Sequence, residues 1–203
     1  ARQANIAVIA DVKRGDIGST FDAYAEAWLS PGSPLEADAM TVHAYQGFGT
    51  LNRAFELALE HGKGAFVLAA TSNPEAREVQ QSRTATGEML AAEMVNSANV
   101  FNRNNQPNSA VGNVGVVLGA TINLANFEID VTSTKLTGEG TPVLPVLAPG
   151  FGFQGANLTE AKAKFGYVTE GLIVHESRSL LQGGAAGLAN RIREHSNRIG
   201  DLI

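Results

Sequence analysis

The chain has 203 residues, 44% of them hydrophobic and 17% charged, with a formal net charge of −5. That is long enough for one substantial core and too apolar for disorder, and the lack of a basic tract excludes nucleic acid and membrane surfaces as main partners. Cysteine is absent, which excludes disulfides and thiol nucleophiles and fits a reducing, cytoplasmic setting; no apolar run reaches the ~20 residues of a membrane span, and no secretory signal is legible.

The first strand is expected from Ile6, Val8 and Ile9, a β-branched run suited to burial on both faces. Asp11 and Lys13 come where it ends, and residues two apart on a strand point the same way. Gly15 permits a turn, Asp16 adds a second carboxylate, and Ser19-Thr-Phe-Asp22 has the spacing of a capping box. A helix then runs to about Leu29, with Phe21, Ala25 and Trp28 on one face, and Ser30-Pro-Gly-Ser-Pro34 stops it.

Ala37 to His43 reads as the second strand. Thr50 caps a helix striped by Leu51, Phe55, Ala58 and Leu59 that ends at His61-Gly62. Gly64 to Ala70 is the third strand, and Thr71-Ser-Asn-Pro74 a polar loop. A helix is expected from about Thr86 to Phe101, and a fourth strand over Val114 to Gly119. The stretch from Ile122 to Thr141 has room for a short helix, with Thr132 to Gly140 as a surface insertion. Pro142 to Leu147 is the fifth strand, followed by the glycine-rich loop Ala148-Pro-Gly-Phe-Gly-Phe-Gln-Gly155. A short helix from Thr159 to Phe165, a sixth strand over Gly171 to His175 and a last helix from about Ala185, striped by Leu188, Ile192 and Ile199, complete the chain.

Apolar runs of strand length alternate with helical stretches, so the chain reads as one α/β domain of βαβ units with a parallel sheet. A doubly wound sheet and a (β/α)8 barrel both fit, and in either the polar residues after each strand share the C-terminal face.

Three groups of residues carry candidate chemistry. Asp11, Lys13 and Asp16 put three charges at one strand end, against the plain alternative of a solvated ion pair. The loop around Gln154 and the Ser177-Arg178-Ser179 turn offer backbone N–H groups, an amide and a guanidinium fork to a phosphate, against a flexible turn and a solvated arginine. Ser72 has a hydroxyl for a polar ring, or for a structural turn. His43, His175 and His195 read as structural or surface groups, and neither a His-x-x-x-His pair nor a carboxylate cluster supports a metal site. Nucleophile-elbow and Walker patterns are both missing.

Taken together, Ala10-Asp-Val-Lys-Arg-Gly-Asp-Ile-Gly-Ser-Thr20, Val67-Leu-Ala-Ala-Thr-Ser-Asn-Pro74, Gly119-Ala-Thr121, Pro149-Gly-Phe-Gly-Phe-Gln-Gly155 and Ser177-Arg-Ser179 resemble the orotidine 5'-phosphate decarboxylase family, in its mycobacterial-type bacterial subgroup. The resemblance implies a (β/α)8 TIM-type barrel, a homodimer with shared active sites, and conversion of orotidine monophosphate to UMP and CO2 without metal or organic cofactor. It implies that Asp11 lies against the substrate carboxylate and that Lys13 protonates C6. Asp16 and Thr20 then reach across the dimer, Ser72 contacts the pyrimidine, and Gln154 and Arg178 grip the phosphate. Six strands are legible where the barrel has eight, so residues 1–203 are expected to be a single domain lacking the first two strands. Those strands carry a ribose-binding aspartate and the lysine that completes the charge array in the family, so the chain alone is expected to be inactive. The alternatives are a non-catalytic phosphate-binding fragment and a related phosphosugar decarboxylase that uses Mg²⁺.

Overall fold

The computed structural model describes residues 1–133 and 140–200. Its centre is one sheet of six parallel strands in sequential order. They are β1 (Ile9–Arg14), β2 (Ala39–Val42), β3 (Gly64–Ala70), β4 (Val114–Leu118), β5 (Val146–Pro149) and β6 (Leu172–His175). The helices are α1 (Gly18–Leu29), α2 (Asn52–His61), α3 (Arg77–Gln80), α4 (Leu90–Asn105), α5 (Ala161–Phe165), α6 (Arg178–Leu181) and α7 (Leu188–Gly200). Sequential parallel order with helices between the strands is the barrel arrangement and not the doubly wound one, whose strand order reverses at a switch point.

Strand alternation divides the apolar residues into two layers. Ala10, Val12, Met40, Val42, Ala65, Val67, Val114 and Val116 face the helices and pack on Phe21, Leu29, Phe55 and Ala98 in the main core. The opposite parity gives a smaller inner cluster of Ala39, Phe66 and Val117, flanked by Ile9, Leu68 and Leu147. Gly115 makes that inner layer possible. A Cβ there would stand 2.5 Å from the Pro145 carbonyl oxygen and 2.7 Å from the Phe66 ring.

Several boundaries differ from the sequence reading. β1 starts at Ile9, and Ile6 and Val8 are exposed. β1 is an edge strand of the described sheet, so its inner side is only half covered and the expected double burial is not observed. Asp11 and Lys13 therefore lie inside the strand rather than beyond it. The capping box at Ser19 is not formed, because α1 begins two residues earlier than that box requires, with Ile17 at its N-cap. Thr50 sits within a 3-10 turn, Phe48–Leu51, and its hydroxyl donates to the Gly47 carbonyl. Ala54 and Leu57 are buried in α2, while Leu59 is half-exposed. α4 begins at Leu90, four residues later than expected, because Arg83 and Met89 form an antiparallel bridge before it. β5 begins at Val146 because the chain before it carries Pro142 and Pro145, which cannot donate to a ladder. Most of the expected insertion from Thr132 to Gly140 lies outside the described residues. No helix among the described residues is long and apolar enough to cross a membrane.

Candidate active site

Asp11 and Lys13 share the parity of Ile9, so their side chains stand on the inner face above the Phe66 layer. The register shows how the pair is held. Ala10 pairs with Met40 and Arg14 with Val42, so Asp11, Val12 and Lys13 together stand opposite Thr41 alone. This is a β-bulge, and Lys13 absorbs it with φ +47°, a left-handed conformation that costs a non-glycine residue energy. Thr41 replaces the lost ladder: the Lys13 N–H donates to its Oγ1 at 2.9 Å, and its hydroxyl donates to Asp11 Oδ1 at 3.0 Å. The Lys13 ammonium forms an ion pair with Asp11 Oδ2.

Burial raises the Asp11 carboxyl pKa, but hydrogen bonds from Lys13 and Thr41 and the charges of Lys13 and His175 outweigh it. The result is a carboxyl held below its ordinary value. His175 ends β6, at the opposite edge of the sheet from β1. Its influence on Asp11 is the smallest of those named. Gly15 has no left-handed backbone; it is needed because a Cβ would fall 2.4 Å from the His43 carbonyl oxygen.

Asp16 and Thr20 lie beyond the pair. Asp16 Oδ1 accepts from the Ile17 N–H at 2.8 Å, and Thr20 is exposed on the first turn of α1. Neither takes part in the Asp11–Lys13 contact. Ser72 is exposed in the bend after β3. That bend is fixed from α3, where Gln80 accepts from the Thr71 N–H at 2.9 Å and donates to its hydroxyl at 3.0 Å.

Gln154 and Arg178 do come together. With Phe153, His175 and Ser177 they border a cavity of about 170 Å³ beyond the ends of β5 and β6. The guanidinium lies 4.2 Å from the centre of the Phe153 ring, a cation–π contact that stacks it on the loop. The loop is structured. Gly150, Gly152 and Gly155 take φ of +124°, +66° and +105°, and the N–H groups of Gly152 and Ala156 donate across it to the Ala156 and Gly150 carbonyls. Since α6 is one turn long, its dipole counts for little; an anion here would be held by Arg178, Gln154 and loop amides. Ser177 occupies the α6 N-cap with no side-chain cap bond, and its hydroxyl lies 3.3 Å from His175 Nε2.

Two residues of this rim escape the sequence reading. Thr41 is fully buried in an otherwise apolar strand, which is itself the available signal. His175 reads from sequence as structural or surface; its place at a strand's C-terminal end, two residues past Ile173, gives it the parity that points into the barrel.

The comparisons with known proteins bear on the family and the fold. The profile of the family described as "Orotidine 5'-phosphate decarboxylase / HUMPS family" matches residues 1–169. An orotidine 5'-phosphate decarboxylase of Corynebacterium efficiens is 42% identical over 183 residues, covering 90% of this chain and 61% of that protein. One from Salinispora tropica is 42% identical over 190 residues, 94% of this chain and 64% of that protein. The chain thus spans a little over three fifths of these relatives' length. A solved structure from Streptomyces avermitilis carrying the same enzyme name superposes with a TM-score of 0.86 at 39% identity, covering 99% of this chain and 67% of that one. The Leishmania donovani OMP decarboxylase superposes at 0.73 with 28% identity, covering 98% and 69%. With six sequential parallel strands, an aspartate–lysine pair on the inner rim and a profile match over most of its length, this chain is part of a (β/α)8 barrel and belongs to the orotidine 5'-phosphate decarboxylase / HUMPS family.

Proposed function

We propose that this chain supplies the catalytic strand and the phosphate grip of an orotidine 5'-phosphate decarboxylase, which converts orotidine monophosphate to UMP and CO2 in cytoplasmic pyrimidine synthesis. The observation that carries the reading is the Asp11–Lys13 pair, built into a bulge on the same rim as the cavity of Gln154 and Arg178. The names of the relatives favour this enzyme over a phosphosugar decarboxylase of the same family.

In this reading the C6–carboxylate bond breaks, CO2 leaves, and the bonding electron pair stays on C6. The Lys13 ammonium lies beside that carbon, offsets the developing negative charge, and transfers its proton to it. Asp11 stands against the departing carboxylate; the repulsion falls away as neutral CO2 forms. No organic or metal cofactor is needed, because both charges come from one strand. The phosphate is remote from C6, so its capture by Arg178 and Gln154 is binding energy used to close the loop and orient the base. Ser72 contacts the pyrimidine, and Asp16 and Thr20 complete the site of a second copy in a homodimer.

We also propose that residues 1–203 are one domain whose sheet is closed by two further strands between β6 and β1. Support comes from the two sheet edges, β1 and β6, which pair with nothing else among the described residues, and from the superposition on the longer Streptomyces avermitilis chain. Loss of orotidine monophosphate absorbance, measured on residues 1–203 alone and on the intact gene product, tests both statements. Activity is expected in the intact product only. Absence of activity from both removes the decarboxylase reading, and full activity of residues 1–203 alone removes the need for further strands.

A further inference from the structure

Glu176 comes directly after β6 and leads into the turn that carries Arg178. Its side chain is only 4% exposed, and its Oε2 is a meeting point. Ser179 Oγ donates to that oxygen at 2.6 Å. From α7, His195 Nδ1 lies 2.9 Å from it, with no aligned hydrogen bond at that nitrogen. The phosphate loop leans on the same atoms: a Cβ on Gly152 would stand 2.5 Å from Ser179 Oγ and 2.7 Å from Glu176 Oε2.

One carboxylate oxygen thus gathers the loop after β5, the turn after β6, and the last helix. A carboxylate this buried is costly unless paired, and removing one partner leaves the charge uncompensated. Its neighbours are chosen by position. Ser179 adjoins Arg178, and Gly152 is two residues before Gln154. Although His175 and Glu176 are consecutive, they border different cavities, His175 the small one with Arg178 and Glu176 another of about 590 Å³ behind the loop. Gly155, His195 and Arg198 also border that second space, so the loop has no packed core behind it there. Besides the loop's own hydrogen bonds and the Phe153–Arg178 stack, the polar contact ties it to the turn after β6.

We infer that Glu176, braced by His195, is a positioning residue for the phosphate grip: it fixes the backs of the Gly152–Gln154 turn and the Arg178 turn so that amide and guanidinium face one anion. It does not touch the phosphate, from which its own charge is kept by lying on the other side of the strand end. This rests on the phosphate role proposed above for Gln154 and Arg178. It also gives α7, which buries no residue completely, a reason to be anchored here.

The test is calorimetric titration of the intact gene product with UMP and with uridine, which differ only in the phosphate. Glu176→Ala is expected to weaken UMP at least tenfold and leave uridine within twofold. His195→Ala is expected to weaken UMP in the same sense, and the double variant to be no weaker than Glu176→Ala, as coupled residues require. Glu176→Gln, which keeps an acceptor for Ser179, is expected to recover most of the loss. Should Glu176→Ala not fold, His195→Ala alone decides: a loss of threefold or more for UMP with uridine unchanged supports the inference. Equal losses for both ligands, or unchanged UMP affinity, overturn it. Arg178→Ala is the control. If it loses UMP affinity while the Glu176 and His195 variants do not, only this inference falls; if it too binds UMP normally, the phosphate reading falls with it.

Discussion

Lys13 and Asp11 are the residues to which the proposed chemistry assigns the charges, and their environment makes separate predictions. Replacing Lys13 by Met removes the proposed proton donor, so kcat for orotidine monophosphate should fall by at least ~10²-fold while UMP affinity changes little; comparable turnover would end the proton-donor assignment. The same substitution removes one of the interactions that lower the Asp11 pKa. The Asp11 carboxyl should therefore titrate at higher pH in Lys13→Met than in the native protein, readable by NMR. The depressed pKa also sets the sign of the stability effect. Asp11 contributes stability at pH above its unfolded value near 3.8, and that contribution is lost as pH falls through the folded value. Thr41→Val is a second test. The shape is nearly kept, but the Lys13 N–H loses its acceptor at the bulge and Asp11 loses a donor. A cost of about 1–3 kcal/mol in urea unfolding is expected, together with a drop in kcat, since the left-handed Lys13 backbone has lost its tie.

At the scale of elements, strand residues alternate between the helix-facing core and the inner layer, and the inner layer depends on a missing side chain. Gly115→Ala puts a Cβ against the Pro145 carbonyl, which is backbone and cannot rotate away, and against Phe66. Overpacking of this kind costs about 1–3 kcal/mol, so a lower melting temperature is expected; an unchanged one would mean that β4 and β5 can part without loss. The phosphate loop obeys the same logic of close approach. Its glycines are legible in the sequence as an anion loop, but the reason Gly152 must be glycine is Glu176 and Ser179 behind it, residues whose packing against the loop no local motif records.

At the scale of the molecule, the two edges of the sheet are its least protected parts. β3 and β4 are central and paired on both sides, whereas β1 and β6 each have one neighbour in the described sheet. Amide hydrogen exchange on residues 1–203 should therefore be slowest in β3 and β4 and fastest in β1 and β6, and protection of β1 and β6 should rise in the intact gene product. The homodimer with shared sites proposed above makes a further prediction. Lys13→Ala and Asp16→Asn are each expected to be inactive alone. Mixed and allowed to exchange, they should recover about a quarter of native activity, because half the dimers are mixed and each mixed dimer has one intact site. No recovery would place Asp16 and Lys13 in the same copy's site, or Asp16 outside it.

The sequence by itself determined the alternation of six strands with helices, since each apolar run and each breaker acts locally, and it marked Asp11, Lys13, Gln154 and Arg178 as candidates, because a charged strand and a glycine-rich loop stand out along one stretch of chain. It left open whether that alternation formed a barrel or a doubly wound sheet, because a βαβ period looks the same in both. Strand order decided that, and with it which residues meet across the rim. Tertiary structure alone turned Thr41 from a strand residue into the support of the Asp11–Lys13 bulge and set His175 beside Arg178 on the small cavity. It also placed His195, almost twenty residues along the chain, against the buried Glu176. The Thr41 and His195 contacts join residues far apart in sequence, and no local pattern records a contact that only the pairing of strands and the docking of the last helix create.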